Sequence, residues 1–194
     1  MGNAGLLSFS SAWSSNAEWF RRIVVGADVP AGSASFPLRG VPTYGRHLHM
    51  RYMSRATSTS TTSGILLQIN GDTTAANYIA QLLGLGADAG DAISVTQNTT
   101  SAGLYIGRES GTTGLANVPG LYETILFDYT NPLTGKVALC QGVYSFGSSL
   151  ASNVNVADVW SAWFGTGGVQ RLDVAVDGGT GFANGSIFDF YVEH

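Results

Sequence analysis

Apolar residues along the chain recur mostly at every second position, in short bursts broken by Gly, Ser, Asn or Pro. That alternation is what a β-strand with one buried face requires, because successive side chains point to opposite sides. The period predicts strands near 19–25, 33–38, 47–55, 64–70, 92–97, 103–108, 121–129, 136–145, 169–177 and 187–193. In the third of these, Leu48, Met50 and Tyr52 share one face, opposite His47, His49, Arg51 and Arg55, a side expected to be polar and wet. At the end of the chain Leu172, Val174 and Val176 lie opposite Arg171, Asp173 and Asp177, and Phe188, Phe190 and Val192 opposite Asp189, Tyr191 and Glu193. With Gly178, Gly179, Gly181 and Gly185 between them, these two segments are expected to form a hairpin with one dry face. Composition marks 57–64, 111–120 and 151–158 as loops. One helix is expected, Thr73 to Leu83, with Asp72 or Thr73 as N-cap, Tyr78 over Leu82 and Gly84 as its stop; the rival reading is a strand through Tyr78 and Ile79.

Short strands with at most one short helix, at this length, predict an all-β fold: a two-sheet antiparallel β-sandwich of jelly-roll type. Residues 1–18 read as an N-terminal arm and 19–194 as a single jelly-roll domain. A chain of 194 residues is long enough to bury about 70% of its unfolded surface, so it needs no covalent staple. Its only cysteine, Cys140, excludes an internal disulfide and fits folding in a reducing cytoplasm. Charged residues make up 11% of the chain, against about 25% in ordinary domains. The net charge of −4 and nine scattered Lys and Arg leave no basic stripe to displace counterions from phosphates, so nucleic acid is not an expected partner. The opening "MGNAGLLSFSSAWSS" has no basic region before its apolar pair, and Leu6 stands where a myristoylation motif wants Ser or Thr. No apolar run reaches the roughly 18 residues of a spanning helix, so no membrane partner is expected either.

Motifs that carry chemistry are scarce. There is no G-x-S-x-G elbow and no phosphate-binding G-x-x-x-x-G-K-[ST] loop. "GLGADA" at 84–89 lacks the preceding strand and following acidic residue of a dinucleotide fingerprint and reads as a turn. His47 and His49 share one strand face, a spacing that lets two imidazoles grip one metal ion, and it resembles the histidine pair of cupin jelly rolls. Met53 or Ser54 stands where cupins place their glutamate, so the pair is expected to be surface histidines without metal. Asp72, Asp88 and Asp91 do not have the spacing of a calcium loop. No catalytic residue and no cofactor is expected. Trp19 continues with Ile23 and Val25 and reads as core, whereas Trp13 sits in the Ser-rich arm with Leu6, Leu7 and Phe9, an apolar set expected to dock on a neighbour. Trp160 and Trp163, three apart, have a second reading as a sugar-stacking platform.

Three patches carry a family resemblance. "LHMRYMSRATSTSTTSGILLQINGDTTAANY" is similar to a stretch of small structural proteins of tailed bacteriophages, with Asn70, Gly71, Asp72, Thr73, Asn77 and Tyr78 matching. "LFDYTNPLTGKVALCQG" resembles the family's Asp-Tyr, turn and Lys pattern through Asp128, Tyr129 and Lys136. "VQRLDVAVDGGTGFANGSIFDFYVEH" resembles its closing strands through Phe182, Gly185, Ser186 and Tyr191. The resemblance covers roughly 19–194 and implies a virion structural protein, folded in the host cytoplasm, that forms a homotrimer and has no catalytic residues. Such domains occur as capsid decoration, or cement, proteins and as parts of tail fibres. No coiled-coil heptads or fibre repeats accompany this one, which favours a cement protein bound to the major capsid protein. Leu6, Leu7, Phe9 and Trp13 would then make the inter-subunit or capsid contacts. The alternative is a tail module, working with other tail proteins, that recognises a host surface glycan through Trp160 and Trp163.

Overall fold

The computed structural model describes residues 19–60, 62–86, 93–98, 101–112, 118–145, 154–178 and 181–193. The expected arm, 1–18, lies outside them. The described residues form the strands β1 (Trp19–Val24), β2 (Ser35–Leu38), β3 (His47–Ser54), β4 (Thr62–Ile69), β5 (Tyr78–Gly86) and β6 (Ile93–Asn98). They are followed by β7 (Leu104–Ser110), β8 (Gly120–Phe127), β9 (Lys136–Ser145), β10 (Val154–Trp163), β11 (Leu172–Val176) and β12 (Ile187–Glu193). An eight-stranded sheet runs β1-β12-β3-β8-β9-β10-β5-β6 and a four-stranded sheet β2-β11-β4-β7, antiparallel throughout. The two pack face to face as a β-sandwich. The halves β1-β12-β3-β8 and β2-β11-β4-β7 alternate early and late strands in an order compatible with a jelly roll, and β9, β10, β5 and β6 extend the larger sheet beyond it. Edge strand β7 lies over β8, β9 and β10, so the extension shares the same core.

Period-two patterning builds that core. Leu48, Met50 and Tyr52 are each 2% exposed, and Phe188, Phe190 and Val192 are fully buried. Phe188 meets Phe36 and Phe182 at centroid distances of 5.0 and 5.1 Å and stacks under Tyr52 at 5.6 Å. Each such side chain removed from water is worth about 1.5–3 kcal/mol, and edge-to-face aromatic contacts add to that.

Three expectations are corrected. The helix over 73–83 is a single 3-10 turn, Ala75–Asn77, followed by β5. Tyr78 and Leu82 do share a face, but as alternate residues of a strand with Ala80 between them, because β10 offers a full ladder from Tyr78 to Gly86. Most of the loop at 151–158 is the start of β10: the V-N-V-A alternation pairs with β9 despite its Ser- and Asn-rich flank. The closing segments are not a hairpin, since β11 pairs with β2 and β4 while β12 pairs with β1 and β3. All five residues of β11 are consequently buried, Asp173 included, rather than only alternate ones.

Turn residues place the strands. Asn70 and Gly71 take positive φ of 53° and 74°, and Asp72 N–H closes the turn on Ile69 C=O at 2.9 Å, the geometry that Asn-Gly favours. This turn carries the chain from the small sheet into the large one. The Asn70 amide holds it down by donating to Gly168 C=O and accepting from Gln170 and Arg171 N–H. Lys136, fully buried, closes the 128–136 turn by donating from Nζ to Asn131 and Thr134 C=O at 2.5 and 2.6 Å.

Candidate interaction surface

Because every strand of the large sheet alternates, residues that point away from the core line up across it in registered rows. One row runs His49, Ile125, Leu139, Trp160 and Gln81, and a neighbouring row Phe127, Val137, Ala162 and Ile79. Four residues along the other way lies the row Met53, Leu121, Val143 and Val156. These outer rows are apolar where water is the expected neighbour: Trp160 is 57% exposed, Leu121 54%, Val137 51%, Val156 47% and Met53 41%. Large apolar side chains clustered on one face mark a surface made to be covered.

Between the apolar rows runs a polar stripe, Arg22, Asp189, Arg51, Glu123, Gln141 and Asp158. Its charges are largely satisfied within the chain. Arg22 grips Asp189 through two hydrogen bonds of 2.7 Å, and Arg51 donates to Glu123 at 3.0 and 3.2 Å. Tyr191 donates its hydroxyl to Glu123 Oε1 at 3.0 Å, and its pKa is pushed well up, by burial first and then by that carboxylate. The Arg51 guanidinium lies 5.8 Å from the same ring. A partner arriving here meets a stripe of neutral ion pairs flanked by grease.

The histidines belong to this face and are engaged separately. His49 is only 8% exposed, stacks on Tyr191 at 4.7 Å and shares a 2.7 Å hydrogen bond through Nε2 with Glu193, so the expected wet face is partly closed here. His47 Nδ1 accepts from Asp128 N–H at 3.3 Å, and its ring meets Phe127 edge-on. Among the described residues no group of three or more His, Cys, Asp or Glu is placed to hold a metal ion.

The two tryptophans do not make a common platform. An odd spacing along a strand puts them on opposite faces, and Trp163 is 5% exposed while Trp160 is on the outer surface. Trp163 points inward and donates Nε1–H to Asp72 Oδ2 at 2.7 Å. Asp72 also accepts from Thr74 N–H and Asn77 Nδ2. Burial alone would raise its pKa, but the bonds from Trp163, Thr74 and Asn77 outweigh that and hold it at about 2. Trp19 is partly buried against the core. Leu6, Leu7, Phe9 and Trp13 lie outside the described residues.

One polar residue escaped the sequence pattern altogether. Glu109, near the end of β7, is fully buried in the sandwich, and neither carboxyl oxygen has a hydrogen-bond partner among the described residues. Burial pushes its pKa up to about 8, so it sits in the core as a neutral acid at pH 7. The only signal in the sequence was the bulge-prone Gly107 two residues earlier, where the β4–β7 register shifts. No protein-family model, curated protein or solved structure matches the chain.

Proposed function

We propose that the protein is a virion structural protein of a tailed phage, a capsid decoration protein that sits on the head surface as a homotrimer and catalyses nothing. The observation that carries this reading is the outer face of the large sheet. Its exposed apolar rows, divided by internally paired charges, suit permanent contact with protein rather than turnover of a small substrate. The resemblance of residues 19–194 to small phage structural domains supports it, and the sandwich is compatible with the fold such domains use. In this reading the sheet face packs copies together, and the arm with Leu6, Leu7, Phe9 and Trp13 secures the trimer to the major capsid protein.

Light scattering on the purified chain tests the first half: the expected mass is three times the 20.3 kDa of one chain, falling to one chain when Val137 and Trp160 are both replaced by Asp. A monodisperse wild-type monomer at micromolar concentration overturns it. Deletion of residues 2–16 tests the second half, and heads decorated as tightly by the truncated protein as by the whole chain refute the role of the arm.

A second reading has one observation in its favour. Trp160 presents an exposed indole whose cross-strand partner is Gln81, an aromatic plate beside an amide of the kind that holds a sugar ring. If the protein is a tail module, phage carrying Trp160→Ala lose adsorption to host cells while remaining fully assembled.

A further inference from the structure

At the rim of the sheet face, a cavity of about 520 Å³ opens where β3 ends against the 181–186 tip, Thr112 and Pro119. Among the described residues Arg55 is its only charged lining residue. The backbone fixes that residue firmly: Arg55 N–H donates to Ser186 Oγ at 3.2 Å, and Arg55 C=O accepts from Ala183 N–H at 2.7 Å. One guanidinium nitrogen, Nη2, donates to Gly111 C=O at 3.0 Å. Its Nε is buried and has no acceptor among the described residues, and no carboxylate lies within ion-pair distance. A guanidinium cannot discharge itself by losing its proton, so a buried N–H without an acceptor is a standing demand for one.

The rest of the wall says what kind of acceptor fits. Thr57, Thr112 and Ser186 contribute hydroxyls and Asn184 an amide, while Met53 and Pro119 supply apolar surface. The Thr57 and Thr112 hydroxyls already donate to Gly181 and Ser58 C=O, and Thr57 Oγ1 also accepts from Gly181 N–H at 3.1 Å, which leaves one lone pair on Thr57 and those of Thr112 to accept from a ligand. One fork-shaped cation, several hydroxyl acceptors and an apolar patch, in a space of monosaccharide to disaccharide size, match a ring that carries one carboxylate and several hydroxyls. A phosphate, with up to two negative charges, would want more than one cation.

We propose that this cavity binds a sugar acid, with the carboxylate on the Arg55 guanidinium and the ring hydroxyls on Thr57, Thr112 and Asn184. The site adjoins the outer sheet face through Met53 and does not depend on which virion surface the protein occupies. Isothermal titration of the full chain with D-glucuronate, D-glucose and inorganic phosphate tests it. Saturable binding of glucuronate is expected, with glucose and phosphate each weaker by about tenfold or more, the loss that goes with a missing or mismatched charged hydrogen bond. Arg55→Gln should abolish the binding. Because Arg55 also holds the tip, Asn184→Asp provides the second variant: the residue is exposed and the change is isosteric, so the fold and melting temperature stay as they are while the added rim charge repels the carboxylate. No saturable glucuronate binding in the millimolar range, equal binding of glucose or phosphate, or a well-folded Asn184→Asp protein that binds unchanged would each overturn the proposal.

Discussion

Trp160 and Trp163 stand three residues apart on one strand, and the same sheet treats them in opposite ways. Trp163 is sealed under the small sheet's side of the sandwich with its indole N–H on Asp72, whereas Trp160 lies on the far side with more than half its surface in water. The pair shows that the large sheet has two apolar faces but only one internal partner. For the inner face, burial is complete within one chain. The outer face stays exposed in the single chain, and the charges Arg22, Asp189, Arg51 and Glu123 on that same face are paired with one another. Folding and, on the function proposed above, assembly are thus written on alternate residues of the same strands.

Replacing each tryptophan separately is the most direct way to break this comparison. Trp163→Ala should destabilise the chain by about 3–5 kcal/mol, the usual cost of deleting a buried large aromatic, seen as a lower urea midpoint. Trp163→Phe keeps most of the volume and removes only the hydrogen bond to Asp72. Asp72 has a folded pKa of about 2, below its ordinary 3.8, so its stabilising effect is present above pH 3.8 and is lost as pH falls through 2. In the Phe variant that loss should be smaller and complete at a higher pH.

Glu109 probes the inner face from its polar side. Its folded pKa of about 8 stands above the ordinary 4.5, so the native state holds a proton that the unfolded chain releases. The stability it permits is complete below pH 4.5 and falls as pH rises to about 8. At about 1.4 kcal/mol per pH unit, the penalty at pH 7 is on the order of 3 kcal/mol. Glu109→Gln should flatten this slope, so that denaturation midpoints at pH 5 and pH 7.5 differ less than in the wild type; an unchanged slope would show that Glu109 ionises freely.

The smallest effect is expected outside. Trp160→Ser should change the unfolding free energy of a dissociated chain by no more than about 0.5 kcal/mol. A loss as large as that of Trp163→Ala would mean that the outer face is already covered by the chain itself.

How much of this was legible beforehand depended on how local the deciding interaction is. Period-two runs gave β1, β3, β9 and β12 almost to the residue, since inward positions such as Leu48, Met50, Tyr52 and Phe188 are dictated by one face of one strand. The Asn70-Gly71 turn was equally plain, because its chemistry is contained in two residues. Segments that become strands only because a distant strand pairs with them were misread: β5 looked helical and the start of β10 looked like a loop, and the two make each other. The separation of β11 from β12 was hidden for the same reason, as alternation shows that a strand has a dry face but not which sheet owns it. Trp160 and Trp163 were placed together as a pair although strand geometry already forbade it. Glu109 and the Arg55 cavity depend on how β3, β7 and the 181–186 tip converge, which no stretch of sequence displays.

The order β1-β12-β3 also bears on how the chain reaches this state in time. Trp19 pairs with Val192 and Val24 with Ile187, so β1 finds its neighbour only after residues 187–193 have been synthesised. Contacts of such long sequence separation close large loops before they return any energy, which places this protein among slow folders, on the millisecond-to-second scale or beyond. Until β12 docks, β1 and β3 have open edges where it will pair. Crowded, simultaneous synthesis of many copies is therefore the condition under which the chain is most exposed to wrong pairing.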